Sequence, residues 1–334
     1  MSLSPAFLDE LRARVPVSGV VGRRVKLTRA GREMKGCCPF HNEKTPSFYV
    51  NDDKGFYHCF GCGAHGDVIR FLTDNMGLPF MEAVKQLASE AGLEVPAPSP
   101  DARAKAEVAD SLADLTSKAA QWFQAQLAGE AGAAARAYLD RRGVKDATRK
   151  QFGLGFSLDS RTALRGHLKE ATAEKLLEAG LIGKSEDGET FDRFRGRLMF
   201  PIRDRRGRVV GFGGRALGDV QPKYLNSADG PLFDKGRLLY NLDLAGPAAR
   251  KVNRLIVVEG YMDVIGLAQA GIAEAVAPLG TAMTETQLAL AWRLVDEPIL
   301  CFDGDAAGLR AATRAGSRAL PLLKPGKSLR IATL

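Results

Sequence analysis

The sequence predicts an α+β protein built from several domains. Three observations carry that reading: a tight cluster of cysteine and histidine near the start, a proline-spaced stretch near residue 100, and a change of hydrophobic period after residue 250. The 334 residues are 45% hydrophobic and 26% charged, an ordinary globular composition long enough for two or three domains. No apolar run approaches the length of a bilayer span, residues 1–10 lack a signal-peptide pattern, and no internal repeat is evident. A membrane role is therefore not expected.

Cys38, His41, Cys59 and Cys62 read Cys-x2-His, a gap of 17 residues, then Cys-x2-Cys. Each pair sets two soft donors on one tight turn, and the gap accommodates a two-stranded hairpin that joins the pairs. Four N/S donors without an open position suit a closed, tetrahedral, structural zinc site, so residues 1–95 read as a zinc ribbon. Cys38 is preferred to Cys37 for its two-residue spacing to His41; Cys37, His58 and His65 flank the site, and spacing alone leaves their ligand role open. Four of the 5 cysteines fall between residues 37 and 62, which reads as metal binding in a reducing cytoplasm and not as a disulfide framework. Cys301, in an apolar strand, reads as a small hydrophobe.

Strands are expected at 46–50 and 56–58, joined by the turn Asn51-Asp52-Asp53-Lys54-Gly55, with amphipathic helices near 67–75 and 79–91. Most of Phe48, Tyr49, Phe56, Tyr57 and Phe60 should fill the small core, leaving any exposed ring able to stack on an unpaired base. Val95-Pro96-Ala97-Pro98-Ser99-Pro100 predicts an extended linker, drawn over 96–110. Residues 105–140 read helical and end at Arg141-Arg142-Gly143. Between 150 and 240 the pattern turns to short strands and glycine-rich turns, with 197–202 and 208–212 as a hairpin.

The net charge is +8, from 47 Lys plus Arg against 39 Asp plus Glu, which permits nucleic-acid binding without requiring it. Eight arginines and one acid, Asp204, fall between residues 193 and 215; on position alone a solvated basic surface explains them as well as a ligand does. After residue 250, strands at 255–258, 274–277 and 299–302 alternate with helices through 270, from Thr284 (capping box with Gln287) and from Ala306. That alternation predicts a parallel sheet.

Parallel sheets place their chemistry at the carboxyl ends of strands. There stand Val258-Glu259-Gly260-Tyr261-Met262-Asp263 and Phe302-Asp303-Gly304-Asp305. A lone Asp-Gly-Asp is usually a turn former. Two acidic strand ends in adjacent strands are more specific, because clustered carboxylates repel and persist where a hard cation neutralises them.

These motifs resemble a Toprim domain, and the cysteine-histidine motif narrows the choice. Cys37-Cys38-Pro39-Phe40-His41 through Phe48, with Tyr57-His58-Cys59-Phe60-Gly61-Cys62-Gly63, resembles the N-terminal domain of bacterial DnaG-type primases. Residues 194–202, 211–215 (Gly-Phe-Gly-Gly-Arg) and 222–227 (Pro-Lys-Tyr-Leu-Asn-Ser) resemble that family's RNA-polymerase domain. The resemblance implies a basic subdomain at 111–250 and a Toprim subdomain at 251–334. It implies zinc on Cys38, His41, Cys59 and Cys62, and magnesium or manganese on Glu259, Asp263, Asp303 and Asp305, with Glu259, Asp303 and Asp305 catalytic. It implies a groove for nucleotides and DNA lined by Arg195, Arg197, Arg215, Lys223, Tyr224, Asn226 and Lys235. The implied partners are single-stranded DNA, nucleoside triphosphates, the RNA–DNA hybrid product, the alarmone guanosine tetraphosphate and, in full-length members, the replicative helicase.

Against the family pattern the chain stops at Leu334, before a further acidic pair, the end of the Toprim fold and the helicase-binding domain. The expectation is impaired catalysis, retained nucleic-acid and nucleotide binding, and no helicase binding. Two rival readings are another Toprim enzyme, for which no tyrosine-bearing nucleophile domain is seen, and a non-catalytic single-strand-binding module.

Overall fold

In the computed structural model, which describes residues 3–97, 100–280 and 283–333, the chain divides into two bodies, residues 1–104 and 105–334. In the first, helices α1 (Pro5–Arg14) and α2 (Val17–Val21) lead into β1 (Thr28–Ala30), β2 (Glu33–Gly36), β3 (Phe48–Asn51), β4 (Phe56–Cys59) and β5 (His65–Gly66), an antiparallel sheet in sequential order. Helices α3 (Val68–Asp74) and α4 (Phe80–Ala91) follow. Asp67 caps α3 by accepting from the Arg70 N–H at 2.8 Å, and accepts from Arg12 Nε at 2.6 Å, so one carboxylate ties α1 to α3. The expected turn closes β3 onto β4: Asn51 Oδ1 accepts from the Lys54 N–H at 2.9 Å, and Gly55 takes φ +65°.

The core of this body is an aromatic group around Tyr57, which stacks on Phe48 at 5.2 Å and meets the edge of Phe71 at 5.6 Å. Of the five aromatics expected mostly inside, only Phe48 and Tyr57 are fully buried. Tyr49 is half-buried, while Phe56 and Phe60 are exposed, because one face of the antiparallel sheet remains in water.

The second body begins within α5 (Pro100–Ala128), a helix that starts at Pro100 instead of after the expected linker 96–110. Proline is tolerated in a first turn because its missing N–H has no helical partner there. Pro98 and Ser99 lie outside the described residues. The helical stretch expected at 105–140 breaks before α6 (Ala133–Arg141): at Gly132 a Cβ would sit 2.3 Å from the Leu127 carbonyl oxygen. Then come α7 (Asp146–Phe152), β6 (Gly155–Ser157), α8 (Ala163–His167), α9 (Ala173–Glu178) and the hairpin β7 (Ile182–Lys184)–β8 (Thr190–Asp192).

The expected hairpin is β9 (Arg197–Arg203) with β10 (Val209–Ala216); with β11 (Tyr224–Asn226) it forms an antiparallel sheet of order β11-β10-β9-β6. The last layer holds β12 (Leu239–Tyr240), α10 (Leu242–Val252), β13 (Ile256–Val257), α11 (Tyr261–Gln269), β14 (Ala275–Pro278), α12 (Glu285–Trp292), β15 (Ile299–Phe302), α13 (Ala306–Ala319) and β16 (Arg330–Thr333). Its sheet runs β12-β14-β13-β15-β16, parallel throughout except for β12. Strand β12 and helix α10 join this layer ahead of the boundary drawn at 250/251. Two strand residues, Leu239 and Tyr240, are too few to show a period.

Both sheets meet at Tyr261, the first residue of α11. Its ring stacks on Phe200 of β9 at 4.8 Å and against Tyr240 of β12 at 4.7 Å. Gly213 of β10 makes the room, for a Cβ there would lie 2.4 Å from the Tyr261 ring. Gly213→Ala is expected to destabilise the chain by roughly 1–3 kcal/mol through overpacking. Gly218→Ala, where a Cβ meets nothing within 4 Å, should change little. Urea denaturation of the two variants beside the parent chain checks this, and equal midpoints would remove the packing argument.

Candidate active site and metal centre

The four predicted zinc ligands converge. Donor atoms of Cys38, His41, Cys59 and Cys62 all lie within 4.8 Å of one another, the only such group of three or more donors among the described residues. Cys38 Sγ and Cys62 Sγ are 3.7 Å apart, and Cys59 Sγ is 3.8 Å from His41 Nδ1. Sulfurs bound at about 2.3 Å in one tetrahedron lie about 3.8 Å apart, so the spacing fits a zinc ion. Cys37, His58 and His65 stay outside the cluster; His58 packs on Phe60 at 4.5 Å and His65 Nδ1 lies 2.8 Å from the Gly63 carbonyl.

The residue that sequence reasoning missed here is Glu43. Its carboxylate accepts from the Cys38 N–H at 2.7 Å, the Ser47 N–H at 3.0 Å and the Ser47 hydroxyl, and it lies 3.3 Å from His41 Nε2. With Nδ1 toward the sulfurs and Nε2 toward Glu43, the imidazole is held in one orientation. The Ser47 hydroxyl and the other donors hold the Glu43 carboxyl below the usual range. Burial pushes the Cys38 thiol up to about 12. At Cys59 burial also acts upward, but the Ser47 hydroxyl and the N–H groups of Cys62 and Gly61 outweigh it and bring the thiol to about 7. A Cβ at Gly61 would lie 2.8 Å from both His41 Nε2 and Ser47 Oγ, which is why the second half-site carries glycine. The motif held a signal for Glu43, a carboxylate two residues after a histidine ligand.

In the second body, Glu259 and Asp303 follow the ends of the paired parallel strands β13 and β15, as expected. The Asp303 N–H donates to Glu259 Oε1 at 3.1 Å, and the Gly260 N–H to Asp263 Oδ2 at 3.0 Å. Asp305 caps α13, accepting from the N–H groups of Ala307 and Gly308 at 2.8 Å each. The acids share one sheet edge, but no three of their oxygens lie within 4.8 Å of one another. Surrounding protein and then the Asp303 charge raise the Asp263 carboxyl. Carboxylates at the ends of adjacent parallel strands are hard donors of the kind a divalent cation takes.

The basic residues divide into two groups. Arg195 is exposed beside the Phe191 ring, and Lys223 is exposed as well. Arg215 is only 8% exposed, with its guanidinium 4.3 Å from the Tyr138 ring and 5.7 Å from that of Tyr224; its Nε and Nη1 are buried with no hydrogen-bond partner. A cleft of 560 Å³ brings Tyr224, Asn226 and Lys235 together with Arg193 and Arg318, two arginines the sequence did not single out. Arg197, expected in the groove, is instead buried, its Nη1 donating to the carbonyls of Pro222 at 2.9 Å and Gly214 at 3.3 Å. Asn226 is also spent internally: its Nδ2 donates to the Leu279 carbonyl and its Oδ1 accepts from the Tyr261 hydroxyl at 2.7 Å.

Glu43→Gln is expected to weaken zinc retention roughly 10–100-fold, measured by competition with a chromophoric chelator. Full zinc removal should lower the melting temperature of the first body, because the site ties the Cys38–His41 turn to the Cys59–Cys62 turn. Unchanged zinc affinity would show that Glu43 only braces the loop.

Residues 3–103 match the CHC2 zinc finger family, residues 122–246 the DNA primase catalytic core, N-terminal domain, and residues 253–332 the Toprim domain. The chain is 46% identical to the DNA primase of Pasteurella multocida (strain Pm70), an alignment covering 100% of this chain and 58% of the relative. It thus spans little more than half the length of the curated relatives it matches. It is similar to the solved Aquifex aeolicus primase (zinc binding and RNA polymerase domains), with 34% identity, TM-score 0.58, and 100% of this chain and 80% of that chain covered. It is also similar to a DnaG primase catalytic domain bound to ssDNA, with 42% identity, TM-score 0.63, and 69% and 74% covered. With zinc ribbon, primase core and Toprim sheet in that order along its length, the chain belongs to the bacterial DnaG-type DNA primase family.

Proposed function

We propose that the chain carries the template-handling and nucleotidyl-transfer core of a DNA primase, a DNA-dependent RNA polymerase that starts short primers de novo on single-stranded DNA for chromosome replication. The observation that carries this reading is the Asn226–Tyr261 hydrogen bond, which joins the Lys223-Tyr224-Leu225-Asn226 strand to the helix that follows Glu259. A phosphate-binding cleft and a carboxylate edge are thereby neighbours. Nucleotidyl transfer needs both.

In this reading Arg215, its guanidinium near the Tyr138 and Tyr224 rings, places a buried positive charge beside a phosphate of template or nucleotide. Arg193, Lys235 and Arg318 bind the triphosphate in the 560 Å³ cleft, while Arg195 and Lys223 hold the strand from the surface. Arg197 and Asn226 position these groups from within. Magnesium or manganese on Glu259, Asp263, Asp303 and Asp305, when bound, would acidify the attacking hydroxyl and stabilise the leaving pyrophosphate. The 3′-hydroxyl of the first nucleotide attacks the α-phosphate of the second in line, and pyrophosphate departs.

The zinc body presents the template through the exposed Phe56 and Phe60. In the longer family members the replicative helicase is the partner, and guanosine tetraphosphate competes for the nucleotide cleft in this reading. No helix among the described residues is long and apolar enough to cross a membrane, which accords with work in the cytoplasm.

The reading is tested with labelled ribonucleotides, a single-stranded DNA template and magnesium. Asp303→Ala is expected to reduce primer synthesis by roughly 100-fold or more while oligonucleotide affinity holds. Loss of DNA binding in that variant would assign Asp303 a structural role instead. Arg215→Lys keeps the charge but loses the planar stack, and should weaken oligonucleotide binding by about 1–2 kcal/mol, read by fluorescence anisotropy.

A further inference from the structure

A second basic cleft lies on the opposite edge of the parallel sheet from the carboxylates. Arg250 lies in the last turn of α10, ahead of β13, and Arg293 caps the end of α12, ahead of β15. Glu259 and Asp303 follow the other ends of those same parallel strands. The third member, Arg205, sits in the turn between β9 and β10. Arg205, Arg250 and Arg293 line one cleft of 90 Å³, with Asp243 and the apolar Pro247 and Leu290.

Three guanidiniums drawn from three elements share this cleft with a single carboxylate, Asp243, so the cleft carries a net positive charge. Among the described residues none of the three has an ion-pair partner. Asp204 pairs with Arg208 at 2.8 Å, while Asp243 lines the cleft, 3.9 Å from Arg203 and with its Oδ1 unpaired. All three arginines are exposed at the surface; partial desolvation in the cleft, then the charges of Arg250 and Arg293, lower the Arg205 guanidinium from its usual value. Leu242, Leu290 and Leu294 line the same cleft beside the three cations.

We propose that the Arg205–Arg250–Arg293 cleft binds a phosphate group, as a second anion site separate from the acidic edge. The guanidinium fork suits phosphate oxygens, and the cleft has room for one tetrahedral oxyanion. That phosphate is either a backbone phosphate of a nucleic-acid strand crossing the back of the sheet or a free phosphate ion, and the experiment separates the two.

The test uses the full chain, the double variant Arg250→Gln/Arg293→Gln, and Arg206→Gln as an exposed control on the same turn. Without phosphate, the double variant should melt no lower than the parent, because it removes repulsion. In inorganic phosphate at matched ionic strength, the parent and the control should gain melting temperature and the double variant should lose most of that gain. With an oligothymidylate, a backbone contact lowers the slope of log affinity against log salt by about 0.7 for each arginine removed. A changed slope assigns the site to a nucleic-acid strand; an unchanged slope with a lost phosphate effect assigns it to the free ion. The proposal fails if the double variant matches the parent in both measurements, or if it melts lower without phosphate, which would make the arginines structural.

Discussion

The second body hangs on one buried phenol. Tyr261 opens the helix that follows Glu259, fills the space above Gly213, stacks on Phe200, and donates its hydroxyl to Asn226. Each contact links a different part of the site: the acidic strand end, the glycine-rich strand, the hairpin core and the basic segment. The bond is partly buried, and Asn226 reaches it from the wall of the cleft. The distance between the carboxylate edge and the basic cleft is therefore set by packing.

Charge follows the same logic at larger scale. Carboxylates collect at the carboxyl ends of β13 and β15, while arginines collect on the antiparallel sheet and ahead of the same two strands. In the proposed reading, a negative edge flanked by basic surface would guide a polyanion toward the carboxylates. The zinc body solves a smaller problem with a similar device. Glu43 fixes the loop of Cys38, the hydroxyl of Ser47 and the ring of His41 through one carboxylate.

Much of this was legible in the sequence because it rests on spacing. The Cys-x2-His and Cys-x2-Cys turns, the Asn51–Gly55 hairpin, the Thr284–Gln287 capping box and the strand-borne Glu259 and Asp303 are local patterns, and each stands where its pattern required. What escaped is non-local. Tyr138 meets Arg215 only through the tertiary fold, Arg193 and Arg318 join a cleft from distant segments, and β12 is too short to show a period. Arg197 and Asn226 share the residue types of ligand-binding groups, yet the fold spends both on backbone carbonyls. Residue type cannot report which partner a donor finds. Proline spacing likewise suggested a linker that a helix N-terminus had already claimed at Pro100.

Strand β10 carries a further consequence. Gly211, Gly213 and Gly214 each present bare backbone to an aromatic ring, those of Phe233, Tyr261 and Phe194. Glycine surrenders more conformational entropy on folding than any other residue, so this strand is the costliest part of its sheet to order. Its neighbours supply the cohesion that it lacks. Because those rings come from both layers of the body, the strand has no independent stability, and loosening either layer releases it. Cooperativity between the basic and acidic halves of the site is thus written into a strand with few side chains of its own.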